Sequence, residues 1–158
     1  MSDDLRFALI LVAALGSGLI AGVFFAFSTF VMTALGRLPP AQGIAAMQSI
    51  NVAVINPVFL GTLFGTGMVC VVLAAVALLN WQVPGAAYLL AGSVLYVVGD
   101  VVVTMAFNVP LNNALAAAKP ESAEGSVLWS RYLREWTAWN HLRTIAGLAA
   151  AAAFIVAM

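Results

Sequence analysis

The run PVFLGTLFGTGMVCVVLAAVALL, residues 57–79, decides the fold of this chain. It is an unbroken apolar stretch without a single charged side chain. An α-helix of about 20 such residues is long enough to cross the hydrocarbon core of a bilayer, which is about 30 Å thick. The run therefore predicts a transmembrane helix over Pro57–Leu79.

Three further segments are also long and predominantly apolar, although each contains one charged residue: Leu5–Leu35, Ala86–Phe107 and His141–Met158. Of the 158 residues, 64% are hydrophobic and only 8% are charged, whereas soluble domains carry about 25% charged residues. We therefore expect an all-α membrane protein. Short connections favour antiparallel neighbours, so residues 1–158 should form one domain, an antiparallel four-transmembrane-helix bundle.

The two longer loops are also predicted to contain helices. Apolar residues recur at helical spacing after Pro39–Pro40, namely Ile44, Met47, Ile50 and Val54. This pattern predicts a short amphipathic helix in the first loop. Residues 121–140 contain no proline, so they should form a helix that continues into the fourth span as one long final helix. Within the spans, Gly18 with Gly22 and Gly61 with Gly65 are predicted to lie where helices approach closely.

The basic residues suggest an orientation in the membrane. Loops 36–56 and 108–140 carry most of them, namely Arg37, Lys119, Arg131 and Arg134, whereas the other side has Arg6 alone. The positive-inside rule then places the long loops in the cytoplasm and the termini outside, in a bacterial-type inner membrane. The lipid bilayer is one expected partner. The sequence does not predict the oligomeric state, and a homo-oligomer is one alternative. Zero net charge without a basic patch argues against nucleic-acid binding.

Polar residues are expected to converge at one end of the bundle. In an antiparallel arrangement, the start of the second span, the end of the third and the start of the fourth lie at the same membrane face. The polar and aromatic residues there are Asn51, Asn56, Asn108, Asn112, Asn113, Trp139, Asn140, His141 and Arg143. The opposite face has only Asn80, Trp81 and Gln82. This asymmetry predicts a functional mouth at the first face.

Asp100 lies inside the third span, where a carboxylate is costly and usually faces the bundle interior. Tyr96, Asp100, Thr104 and Asn108 are four residues apart and should share one helix face. Arg143 is the natural partner for Asp100 if the two helices are neighbours. A structural ion pair, or a neutral hydrogen-bonded carboxyl, competes with a functional role for this residue.

No metal site is expected, because the chain has no HExxH, CxxC or Glu-x-x-His pattern. No classical redox cofactor is predicted either. A haem held by His141 as its single axial ligand remains an alternative.

Four segments carry a resemblance to a known family: GVFFAFSTFVM, LPPAQGIAAMQSINVAVINPVF, AFNVPLNNALA and LWSRYLREWTAWNHLRT. Together they resemble the anthrone oxygenases, small four-span membrane proteins. The resemblance implies O₂-dependent oxidation of a reduced polycyclic phenol, an anthrone, to the quinone. It implies a small aromatic, phenolic substrate and no classical redox cofactor. The residues in the family-like motifs are Asn56, Asn108, Asn112, Trp139, Asn140, His141 and Arg143.

The chemistry of that reaction suggests roles for these side chains. The anthrone methylene must lose a proton, and imidazole accepts protons near neutral pH, so His141 is the candidate base. Arg143, Asn140 and Asn108 or Asn112 could stabilise the oxyanion, while Trp136 or Trp139 stacks on the flat rings. Asp100 is retained as a candidate substrate-binding residue. A non-enzymatic scaffold, a quinone- or lipid-binding bundle and a haem-binding redox protein are the competing interpretations.

Overall fold

The computed structural model describes residues 2–82 and 84–158, and within them the chain forms helices and no strand. Five helices follow in order: α1 Asp3–Gly36, α2 Pro40–Ala53, α3 Pro57–Leu79, α4 Ala86–Ala117 and α5 Ala123–Val156. Three of them, α1, α3 and α4, are long and apolar enough to cross a membrane. The all-helical class is therefore confirmed, and three of the four predicted spans lie in membrane-compatible helices; α5, which contains the fourth, is not among them.

Side chains at the helix starts define several boundaries. Ser2 accepts a hydrogen bond from the backbone N–H of Leu5 at the start of α1, and Ser122 accepts one from Gly125 at the start of α5. Asn56 accepts from the backbone N–H groups of Val58 and Phe59 at the start of α3. Such caps satisfy donors that have no partner inside the helix.

The predicted helices in the loops are confirmed. Helix α2 buries Ile44 and Met47, as the amphipathic pattern predicts. Helix α5 runs without interruption through both the predicted loop helix and the fourth predicted span. The third predicted span was too short, because α4 continues beyond Phe107 to Ala117. A π-helical segment lies immediately before Pro110, where the missing proline N–H interrupts the regular bonding pattern.

Two hydrophobic clusters fill the interior at opposite ends of the helices. One joins Ile10 near the start of α1 to Ala77 near the end of α3 and Phe154 near the end of α5. The other joins Leu35 near the end of α1 to Leu115 near the end of α4. An aromatic stack on α5, Trp129, Tyr132 and Trp136, lies in the second cluster, with ring centroids 5.6 and 5.9 Å apart. The second cluster marks the end at which the sequence places the mouth.

Close helix contacts use other glycines than predicted. A Cβ added at Gly18, Gly22, Gly61 or Gly65 would have no described atom within 4 Å, so their placement at helix contacts was wrong. At Gly147 of α5, a Cβ would lie 2.9 Å from the Ala21 Cβ of α1 and 3.1 Å from Asp100 Oδ1 of α4. The absence of a side chain at Gly147 therefore lets three helices meet.

Three π-helical segments lie in the regions that carry the polar interior residues: Phe27–Val31, Val97–Val102 and Thr104–Asn108. In a regular α-helix, residues four apart drift by about 40° around the axis at each step. The wider π turn advances less per residue and offsets this drift. Tyr96, Asp100 and Asn108 are accordingly all buried, as their common spacing predicts.

Candidate functional site

A cavity of about 440 Å³ opens at the end of the molecule that contains the aromatic stack. It lies between helices α1, α2, α3, α4 and α5. Among its lining residues, Phe24, Asn108, Trp136 and Arg143 are buried. Its walls are mostly apolar, and the polar lining residues are Gln48, Asn51, Thr104, Asn108, Asn112, Asn113 and Arg143. Both the volume and this distribution are typical of pockets for small organic ligands.

Arg143 is the charged residue of the cavity. Its side chain is 3% exposed, and its guanidinium donates hydrogen bonds to Thr104 Oγ1 at 3.0 Å and to Asn140 Oδ1 at 2.7 Å. The guanidinium carbon lies 4.0 Å from the ring centroid of Phe24 and 5.2 Å from that of Trp136. Such contacts with aromatic faces stabilise a cation and hold it in one orientation.

No carboxylate forms an ion pair with this cation. Among residues 2–82 and 84–158, the ion pairs are Arg6–Asp3 and Arg131–Glu135, both outside the cavity. The hydrogen bond from exposed Arg131 lowers the pKa of the Glu135 carboxyl. Buried Asp100 attracts this cation from beyond ion-pair distance. Because no carboxylate is in contact with the guanidinium, an anionic group in the cavity would be stabilised by it.

Asn140 fixes the position of Arg143. Besides accepting from Arg143, its amide donates to the Phe24 carbonyl and to Ser28 Oγ, both at 2.7 Å. The Ser28 and Thr144 hydroxyls lie 2.9 Å apart, which joins α1 to α5 a second time. Asn140 does not line the cavity, so the predicted catalytic asparagine is placed one layer behind Arg143.

Asn112 organises the aromatic side of the cavity. Its Oδ1 accepts from the Tyr132 hydroxyl and from Trp136 Nε1, both at 2.8 Å. Asn108 Nδ2 donates to the Trp136 carbonyl at 3.2 Å. Trp136 is thereby held by α4 at two points, with its ring beside the cavity.

Three buried polar atoms of the cavity lining have no hydrogen-bond partner in the described part of the chain. They are Asn51 Nδ2, Asn108 Oδ1 and Arg143 Nε. Asn51 Nδ2 and Arg143 Nε can donate a hydrogen bond, and Asn108 Oδ1 can accept one. Because buried polar groups are nearly always paired, these atoms are the groups with which a ligand would form hydrogen bonds.

Asp100 is fully buried but does not line the cavity. Neither of its carboxyl oxygens has a hydrogen-bond partner within residues 2–82 and 84–158, and no ion pair with Arg143 is formed. The predicted inward orientation is confirmed. The predicted ion pair with Arg143 is absent, because the guanidinium is held instead by Thr104 and Asn140.

His141 is exposed on α5 and does not line the cavity. It shares its helix face with exposed Ile145 and Leu148. The prediction that His141 faces the pocket is wrong. Adjacent helix positions differ by about 100° around the axis. His141 lies two positions before the inward-facing Arg143, so the two side chains point about 160° apart, to nearly opposite sides of α5.

Two other predicted site residues, Asn56 and Trp139, lie outside the cavity lining. Asn56 caps α3 and is absent from the cavity lining. Trp139 stacks on Phe107 with ring centroids 3.7 Å apart, outside the cavity. Of the predicted set, the structure brings Asn108, Asn112, Trp136 and Arg143 together around one space.

Several cavity residues were not predicted as site residues. Asn51 contributes an unpaired donor, and Phe24 and Phe27 come from the first helix. Asn51 was expected at this end of the molecule but was not selected as a site residue; the further signal was its place after Ile44 and Met47, on the side of α2 that turns inward. No group of three or more metal-ligating side chains comes together in the ranges that the structure describes.

Comparison with known proteins assigns the family. The family model "Anthrone oxygenase" matches residues 57–153, which is more than half of the chain and includes α3, α4 and most of α5. No curated protein and no solved structure matches the chain. The matched region includes Asn108, Asn112, Trp136, Asn140 and Arg143. The chain therefore belongs to the anthrone oxygenase family.

Proposed function

We propose that this protein is an antiparallel four-helix integral membrane protein that uses O₂ to oxidise an anthrone to the corresponding anthraquinone. Helix α5, through its second half, would be the fourth span. The observation that carries the proposal is Arg143, a buried cation without a paired carboxylate, held between two aromatic rings beside a cavity of about 440 Å³. Family membership supports the choice of reaction.

The first step is the loss of a proton from the anthrone methylene. The negative charge that results is spread onto the carbonyl oxygen of the anthracenolate. A cation and hydrogen-bond donors already in place stabilise such an oxyanion, since they need no reorganisation when the charge develops. Arg143 Nε and Asn51 Nδ2 are unpaired donors of this kind.

The second step joins oxygen to carbon. The anthracenolate is electron-rich and reduces O₂, and a C–O bond forms at the former methylene carbon. After this peroxide takes up a proton, its O–O bond breaks, the remaining C–H proton leaves, and water is released. One oxygen atom of O₂ becomes the new carbonyl and the other becomes water. The substrate itself supplies the electrons, so we propose that no bound redox cofactor takes part.

The proton acceptor is not a side chain of the cavity. Within the described residues, Arg143 is the only titratable group of the lining. We therefore assign proton removal to water at the polar end of the cavity and give His141 no step. The flat rings would lie against Phe27 and Trp136, whose ring centroids are 5.6 Å apart.

The test is O₂ consumption and quinone formation by the purified protein with emodin anthrone. Arg143→Lys should lower kcat by about 10²–10³-fold, as expected when an oxyanion donor is lost. A lysine ammonium cannot reproduce the planar guanidinium that reaches Thr104 and Asn140 together. The matched control is Arg134→Lys, since Arg134 is exposed and donates only to Ser130 of its own helix.

With labelled O₂, one labelled oxygen should appear in the quinone. Wild-type rates equal to those of protein-free autoxidation would refute the proposal for this substrate. Tight quinone binding without turnover would instead support the alternative of a quinone-binding bundle.

A further inference from the structure

The cavity extends from its buried polar end to exposed apolar residues. Its exposed large apolar residues are Val52 at 74%, Ile55 at 70%, Met105 at 53% and Phe64 at 40%. The other exposed residues of the described lining are Asn113 and Ala116, toward the end of α4. The entrance is therefore bordered mainly by apolar side chains.

This entrance exists because two neighbouring helices separate. Helix α3 packs along Ala86–Tyr96 and Val97–Val102 of α4, near the turn that joins them. It makes at most marginal contact with Thr104–Ala117. Beside the gap between the first half of α3 and the second half of α4, the lining comes from α1 and α5 and from α2 with its connection to α3. The lining is exposed on α3 at Phe64 and on α4 at Met105.

In a bilayer spanned by α3 and α4, part of the opening would lie at the depth of the lipid chains, whereas Val52 and Ile55 precede Pro57 and would border it nearer the membrane surface. Helix α3 has 23 residues and is about 34 Å long, close to the thickness of the hydrocarbon core. Phe64 follows Pro57 by seven positions, which is about 10 Å along the helix axis. Met105 faces the same gap from the membrane-compatible helix α4. An entrance at this depth meets acyl chains rather than bulk water.

From this geometry we infer that the ligand enters sideways from the bilayer, between α3 and α4, as an uncharged flat aromatic molecule dissolved in lipid. This inference rests on the proposed function for the identity of the ring system. A charged ligand would have to cross a border of apolar side chains at membrane depth, which is costly. The neutral anthrone or quinone passes this border. The negative charge of the anthracenolate develops only after the ring system has reached Arg143.

The test measures binding of 9,10-anthraquinone, a neutral ligand that needs no turnover, to the protein in phospholipid vesicles. Quenching of tryptophan fluorescence reports occupancy, because Trp136 lines the cavity. At constant total ligand, the association rate should follow the ligand concentration in the membrane as the amount of lipid is varied. Anthraquinone-2-sulfonate, the same ring system with a permanent charge, should not quench.

Met105→Phe narrows the entrance and should slow association several-fold. Ile55→Phe at the same entrance is the second variant, in case Met105→Phe does not fold. The matched control is Met68→Phe, since Met68 is 68% exposed on α3 but does not line the cavity.

An association rate that follows the aqueous ligand concentration, or equal rates in the Met105 and Met68 variants, would overturn lateral entry. Lateral entry would also be overturned if anthraquinone did not quench the tryptophan fluorescence because an acyl chain already fills the cavity. Lateral entry stands if binding behaves as expected but emodin anthrone is not oxidised, and in that case only the proposed function fails.

Discussion

The shared acceptor Asn112 Oδ1 allows a double-mutant cycle whose outcome can be worked out from the structure. Two buried donors point at this one atom, the Tyr132 hydroxyl and Trp136 Nε1, each at 2.8 Å. Asn112→Ala leaves both donors without a partner. An unsatisfied buried donor costs about 1–3 kcal/mol, so the free energy of unfolding should fall by about 2–6 kcal/mol.

Tyr132→Phe should behave differently in the two backgrounds. In the wild type it removes one hydrogen bond, worth about 1 kcal/mol, while Trp136 keeps its partner. In the Asn112→Ala background it removes a hydroxyl that is already unpaired and should be neutral or stabilising. The expected coupling energy is therefore about 1–3 kcal/mol.

The assay is reversible unfolding of the four proteins in mixed micelles, followed by circular dichroism. Asn113→Ala is the control, because this exposed neighbour makes no side-chain hydrogen bond within the described residues, and it should change stability by less than about 0.5 kcal/mol. If Tyr132→Phe costs as much in the Asn112→Ala background as in the wild type, the two donors do not share this acceptor.

Three further predictions concern other positions. His141→Ala should keep the oxidation rate within about threefold of wild type, whereas loss of a general base would cost about 10²–10⁴-fold and would restore His141 as the base. Gly147→Ala should destabilise the fold by about 1–3 kcal/mol, since its Cβ would lie 2.9 Å from the Ala21 Cβ. The control is Gly65→Ala, which has open space around it and should be neutral or stabilising. Thermal unfolding of both variants measures the difference. Asn56→Ala should cost about 0.5–2 kcal/mol by removing the α3 cap without changing affinity for anthraquinone; a large loss of affinity would place Asn56 in the binding site.

Much of the fold was predictable because hydrophobic length is read directly from the chain. The bounds Pro57–Leu79 are identical in the prediction and in the structure. The amphipathic helix after Pro39–Pro40 and the long helix α5 are also confirmed. The continuation of α4 past Phe107 was missed, because a π-helical turn that accommodates Pro110 has no simple sequence signature.

The candidate site was predictable only in part. Chain order alone brings Asn108, Asn112 and Arg143 to the same end of the bundle, and the cavity lies there. Placing His141 in the pocket failed because the rotation of α5 about its axis was unknown. The exposed side of the second half of α5 carries Ile145, Leu148 and Ile155 and is apolar like the buried side, so the pattern of hydrophobicity does not show which side turns inward.

The amino-acid sequence alone was enough to predict the class of the protein, three membrane-compatible helices and the end at which its polar residues gather, because each follows from the length and order of apolar segments. The fourth predicted span, His141–Met158, lies in α5, which is not among the membrane-compatible helices. Tertiary structure alone decided that Arg143 rather than His141 faces the cavity and that Asn140 holds it from behind. It also decided that α3 and α4 separate beside Met105 to leave an entrance. These features depend on helix rotation and on contacts between residues more than 100 positions apart, such as Phe24 and Asn140, which packing determines and local sequence does not.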